Sequence, residues 1–95
     1  MQNLDLTGNS TVIAFDLDTV IEDSIVGASV VLPAITSPDM IMNIRNKSGH
    51  TVMATTSTDE INYSQSEPAS IAIPSGKVLS LRSICLGMWG AYTHD

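Results

Sequence analysis

The stretch Met40-Ile41-Met42-Asn43-Ile44-Arg45-Asn46, with the turn Lys47-Ser48-Gly49 behind it, decides how the rest of the chain is read. Met40, Met42 and Ile44 fall on one side of an extended backbone, and Ile41, Asn43 and Arg45 fall on the other. Side chains alternate with a period of two in a strand, so this segment predicts a strand with one apolar face and one wetter face. The same alternation recurs at residues 78–83, where Leu79 and Leu81 are interleaved with Ser80 and Arg82.

Working outward, short apolar runs predict strands near 11–15, 19–26, 28–32, 40–45, 51–56, 70–73, 77–84 and 87–92. Turn signals separate them: Pro33, Ser37-Pro38-Asp39, Lys47-Ser48-Gly49, Ser64 to Pro68, and Pro74-Ser75-Gly76. Pro pre-sets φ, Gly supplies positive φ, and Asn, Asp and Ser bond their own backbone. Breaks at a spacing of about 8–12 residues are the rhythm of an all-β sandwich or barrel. The expected fold is therefore all-β, a single antiparallel β-sandwich domain of jelly-roll-like type over residues 11–95. Residues 1–10 read as a polar N-terminal arm carrying Leu4 and Leu6. The run 28–32 is apolar at adjacent positions and suits burial on both faces, while 55–70, rich in Thr and Ser, is the longest loop region expected.

Composition points the same way. Ninety-five residues make one domain, with 43% hydrophobic and 15% charged residues, too apolar and too weakly charged for a disordered chain. Val, Ile and Thr total 26, against seven for Lys, Arg and Glu together, and β-branched side chains suit a pleated surface better than a helix. The single cysteine, Cys85, cannot form an intrachain disulfide and lies in an apolar run, where a small buried hydrophobe is expected. The start has no basic region followed by an apolar stretch, and no run approaches the ~20 apolar residues of a membrane span. Neither a signal peptide nor a membrane partner is expected.

The formal charge of −6 is uneven: residues 1–44 hold six acids and no Lys or Arg, and the remainder is balanced. Nucleic-acid affinity comes chiefly from clustered Lys and Arg, so a nucleic-acid partner is not expected. A basic protein surface remains compatible with the acidic half.

The segment Val12-Ile13-Ala14-Phe15-Asp16-Leu17-Asp18-Thr19-Val20 is similar to the first motif of the haloacid dehalogenase-like phosphatases, in which two acids beyond an apolar strand supply the nucleophile and the acid/base. That chemistry also needs strand–helix units and a later acidic pair, and neither follows in this sequence. A strand running into an acidic turn is the expected reading. Asp16, Asp18, Glu22 and Asp23 lack the spacing and central Gly of a calcium loop. His50 and His94 have no second ligand at metal spacing, no Ser stands in a nucleophile elbow, and no Gly-rich phosphate loop occurs. No catalytic residue, metal or cofactor is expected, and the protein is not expected to be an enzyme.

From about residue 28 to 92 a longer order of features can be followed: Val31-Leu32-Pro33-Ala34, Met40 to Asn46, Ser48-Gly49, Thr51-Val52, Asp59-Glu60-Ile61-Asn62, Ile71-Ala72-Ile73-Pro74-Ser75-Gly76, Val78-Leu79-Ser80-Leu81 and Trp89. In this it resembles a small β domain of tailed-bacteriophage virion proteins, found in decoration proteins, fibres and spikes. The approach to the last strand, Leu86-Gly87-Met88-Trp89, departs from the pattern's Gly-x-x-Trp. The resemblance implies an antiparallel sandwich, often a homotrimer, without catalysis. The expected function is that of a virion structural protein made in the host cytoplasm, favoured as a capsid decoration or cement protein that stabilises the outer head surface. Its expected partner is the major capsid protein or another virion protein; a receptor- or carbohydrate-binding fibre or spike tip is the alternative. The arm and the acidic half suggest Leu4, Leu6, Asp16, Asp18 and Asp23 as capsid contacts. Adaptable methionines and late aromatics suggest Met40, Met42, Met88, Trp89 and Tyr92 as the oligomer interface.

Overall fold

In the computed structural model, which describes residues 1–63 and 69–95, each expected strand has a counterpart and two further strands form. In chain order they are β1 (Gln2–Leu6), β2 (Ser10–Val12), β3 (Asp18–Ser24), β4 (Ser29–Val31), β5 (Ile41–Asn46), β6 (Val52–Thr55), β7 (Glu60–Ile61), β8 (Ser70–Ile73), β9 (Val78–Cys85) and β10 (Met88–His94). Among the described residues there is no helix. The turn expected from Ser64 to Pro68 lies outside the described residues.

The strands form two mixed sheets, one of six strands in the order β1-β3-β5-β9-β10-β7 and one of four in the order β2-β4-β6-β8. Through its first six strands the chain alternates between the sheets. Each strand returns parallel to the one two places earlier: Gln2 pairs with Thr19 and Thr19 with Ile44, while Thr11 pairs with Val30 and Val30 with Ala54. Parallel neighbours need a crossover between them. Here the crossover is itself a strand of the other sheet, so β1–β2, β3–β4 and β5–β6 stack as three turns of a coil. The third turn is closed by antiparallel strands, β9 on β5 and β8 on β6. β10 then pairs antiparallel with β9, and the short β7 lies parallel to β10.

This corrects the expectation of antiparallel pairing throughout. The all-β class holds, while parallel neighbours in both sheets are not those of the antiparallel, jelly-roll-like type expected. The arm expected over residues 1–10 is corrected as well. Gln2–Leu6 pairs with β3, and within it Asn3-Leu4-Asp5-Leu6 alternates polar and apolar residues, with Leu6 only 1% exposed and Leu4 packed against the core. Its polar content is tied down too: Gln2 Nε2 donates to the Ala14 carbonyl at 3.1 Å and to Thr19 Oγ1 at 3.0 Å.

The inward faces of the two sheets meet in one core. Leu6, Ile21, Met42, Ile44, Leu79, Leu81 and Trp89 come from the larger sheet, and Val30, Val52, Ala54 and Ile73 from the smaller. The period-2 reading of β5 and β9 holds: Met42, Ile44, Leu79 and Leu81 are buried, while Ile41, Arg45 and Arg82 are exposed. In 28–32 the burial alternates instead of covering both faces, with Ala28, Val30 and Leu32 inside and Ser29 and Val31 half-buried. Cys85, expected inside, is exposed. The reason is register: β5 covers β9 only as far as Arg82, so Ile84 and Cys85 run past the sheet on that side. The long loop region is interrupted by β7.

A buried polar corner fastens the turns of the coil to one another. Asn46 Nδ2 donates to the carbonyls of His50 and Ile73, both at 2.8 Å, and Asn46 Oδ1 accepts from Ser48 N at 3.1 Å and Ser48 Oγ at 2.6 Å. Ser24 of β3 donates to Ser48 Oγ at 2.8 Å, and Ser75 Oγ donates to the Ser48 carbonyl at 2.6 Å. Buried polar atoms are tolerated only when paired in this way.

Candidate functional site

The residues singled out from the sequence separate into an inner and an outer group. Asp16 sits on the connection from β2 to β3, and Asp18 is the first residue of β3. Asp16 Oδ1 accepts the backbone N–H of Asp18 at 3.2 Å, and its other carboxylate oxygen lies 3.7 Å from the Met1 amino group. An acid that closes its own turn is what the strand-into-turn reading describes. Asp23 accepts the N–H of Ser24 at 2.9 Å and stands opposite Asp5 across the β1–β3 pair. Among the described residues no three His, Cys, Asp or Glu side chains gather closely enough to hold a metal ion. So the three acids named as contacts are accessible to a partner, but Leu6 is inside the core and Leu4 is packed against it.

The interface residues divide in the same manner. Met42 and Trp89 are 0% exposed and belong to the chain's own core, so they cannot form an intersubunit face. Met40 and Met88 are half-buried, and only Tyr92 is freely accessible, at 64%. The cause is alternation along β10, which turns Trp89 and Ala91 inward and leaves Tyr92 outside. The indole N–H of Trp89 finds no partner among the described residues.

Two surface features remain. The first is the end of the coil made by β1 and β2. Both are edge strands, with no neighbour on their outer sides among the described residues; the far edges of the two sheets are β7 and β8. Beside this end Val12 is 78% exposed, and Phe15 and Leu17 are exposed as well. Sequence reasoning missed these three because it placed Val12 and Phe15 in a half-buried strand. Only Ile13 of that run is buried, its N–H donating to the Val31 carbonyl at 3.1 Å. The acids Asp5, Asp16, Asp18, Glu22 and Asp23 belong to these first two turns of the coil; the Met1 amino group lies 3.7 Å from Asp16, Lys47 lies 3.7 Å from Glu22, and Arg45 lines a hollow together with Asp18.

The second feature is an open groove of about 330 Å³ on the outer face of the six-stranded sheet, over β5, β9 and β10. Ile41, Asn43, Ser80, Arg82, Gly90 and Tyr92 line it. Ser80 Oγ lies 2.8 Å from both Asn43 Oδ1 and His94 Nε2. The other ring nitrogen of His94, Nδ1, lies 3.1 Å from the Asp95 carbonyl oxygen, and which partner donates between Ser80 and His94 follows from the imidazole tautomer. Arg82 at the rim is ion-paired with Asp39, its Nη2 2.7 Å and its Nε 3.2 Å from Oδ1.

Comparison of the chain with protein-family models, with curated proteins and with solved structures finds no match. The functional reading therefore rests on the surfaces themselves and on the resemblance in the order of sequence features.

Proposed function

We propose that the protein is a non-catalytic structural component of a tailed-phage virion and that it docks on another virion protein through the open end of its coil. The observation that carries this reading is the pairing of two edge strands with apolar surface: β1 and β2 have no neighbour on their outer sides among the described residues, and exposed apolar side chains stand beside them. An edge strand presents a row of unpaired N–H and C=O groups, which proteins commonly blunt with Lys or Pro. Gln2–Leu6 and Ser10–Val12 contain neither. Exposed Val12, Phe15 and Leu17 supply apolar area beside those edges, and the neighbouring acids favour a partner segment carrying Lys or Arg.

Decoration of the outer head surface, with the major capsid protein as partner, is the form we favour, and an all-β fold of two sheets around one core is compatible with such a domain. Copies joined as a homotrimer would strengthen a modest contact through avidity. Met42 and Trp89, being buried, take no part in that trimer. Mass spectrometry of gradient-purified particles tests the reading: the chain is expected in many copies per particle, and its absence from particles made in cells that express it would overturn the proposal.

A further inference from the structure

We propose that the open end of the coil receives one extended segment of the partner, added to β1 as a further strand of the larger sheet, in which Lys or Arg alternates with Val, Ile or Leu. This rests on the docking reading and names what the partner must present there.

Two features single out β1 from β2. It is the longer edge, five residues against three, and so offers more unpaired N–H and C=O groups. Its backbone is also regular. Leu4 pairs with Ile21 and Asp5 with Asp23, so the extra residue at the shift of register is Glu22 of β3. A bulge in an edge strand twists it away from a newcomer, and here the bulge lies one strand further in.

Alternation along β1 sets the chemistry of the newcomer. Asn3 and Asp5 are exposed on the outer face, whereas Leu4 and Leu6 turn toward the core. Side chains of a strand laid beside β1 fall into the same two rows. Those in the Leu4 row extend the rim of the core. Gln2 shares that row and holds the Ala14 carbonyl at 3.1 Å, which brings the connection carrying exposed Phe15 to the same side. Those in the Asp5 row meet a carboxylate. Asp5 already stands opposite Asp23, and neither is ion-paired among the described residues. Like charges facing each other destabilise a strand pair, and a cation on the outer side of Asp5 offsets that repulsion. The same carboxylates disfavour a second copy of this chain as the newcomer, because pairing two β1 edges brings Asp5 and Asp23 of both copies together.

The test is a ¹H–¹⁵N NMR titration of the intact protein with three capped peptides: TKVKVKT, its isomer KKKTVVT, which keeps the charge and loses the alternation, and TEVEVET. A short free strand loses conformational entropy on docking, so TKVKVKT is expected to bind in the millimolar range, with the largest shifts and slowed amide exchange in Gln2–Leu6. KKKTVVT is expected to bind about tenfold more weakly, and TEVEVET to produce no shift. Asp5→Asn, at an exposed position, is expected to keep a dispersed spectrum and to weaken TKVKVKT about threefold. Equal binding of TKVKVKT and KKKTVVT, shifts centred outside β1, or no shift in β1 at about 5 mM peptide would each overturn the proposal. Docking itself is read separately, on the particle: protection of β1 and β2 there, together with any of these peptide results, keeps the docking and removes the added strand. Unaltered exchange of both strands on the particle removes the docking whatever the peptides do.

Discussion

The side-chain carboxamide of Asn62 forms two hydrogen bonds with the backbone of Ala91, Nδ2 donating to the carbonyl at 2.7 Å and Oδ1 accepting from the N–H at 2.9 Å. Backbone pairing between β7 and β10 extends through Glu60 and Ile61, after which Asn62 turns into the left-handed region with φ of 53°. Its side chain thus replaces one more backbone pair, and Asn is among the few residues that tolerate this φ. Asn62→Ala removes both bonds and keeps the unfavourable φ. We expect a loss of about 2–3 kcal/mol, read as a lower urea midpoint at unchanged slope. Asn62→Gly relieves the backbone strain only, so its midpoint is expected to fall between those of the wild type and the Ala variant.

Asn46 is expected to be the costlier amide to lose. Asn46→Ala strands two backbone carbonyls and the Ser48 groups in a buried corner, at about 1–3 kcal/mol for each group left without a partner and partly offset by relaxation. A drop of about 3–4 kcal/mol in denaturant unfolding is the expected result. Ser24→Ala, which removes a single bond to the same corner, is expected to cost about 1 kcal/mol.

Gly76 isolates a backbone effect. Its φ is 83°, and no atom lies within 4 Å of where a Cβ would stand, so Gly76→Ala meets no clash. The expected cost is the conformational one alone, about 1 kcal/mol, measured as a midpoint shift without change in slope.

Asp5 and Asp23 face one another across β1 and β3, and like charges directly opposite destabilise a strand pair. Asp5→Asn is expected to raise the melting temperature slightly at low ionic strength. The gain should vanish in high salt, because both carboxylates are exposed and screened.

The strands were legible in the sequence, and their partners were not. Alternation at Met40–Arg45 and Val78–Ser83 reports which side chains go inside, but a period of two is the same whether a strand meets its neighbour in a hairpin or after a turn of coil. Thr19 pairs with Gln2 on one side and Ile44 on the other, relations that no local pattern encodes. β1 was missed because Gln2, Asn3 and Asp5 made an alternating strand look like a polar arm. For the surface, the order Trp89-Gly90-Ala91-Tyr92 already implies that Trp89 and Tyr92 point to opposite faces, and hence that they cannot share one interface. What the order could not reveal is that Asn43 and Ser80 stand beside Tyr92, since that depends on the alignment of three strands.

Amide hydrogen exchange, compared between the free protein and the protein on purified particles, tests docking through the open end most directly. Docking there predicts that Gln2–Leu6 and Ser10–Val12 exchange markedly more slowly on the particle, while β7 and β8 at the far sheet edges are unchanged. Unaltered exchange in β1 and β2, with new protection confined to other strands of the particle-bound protein, would contradict it.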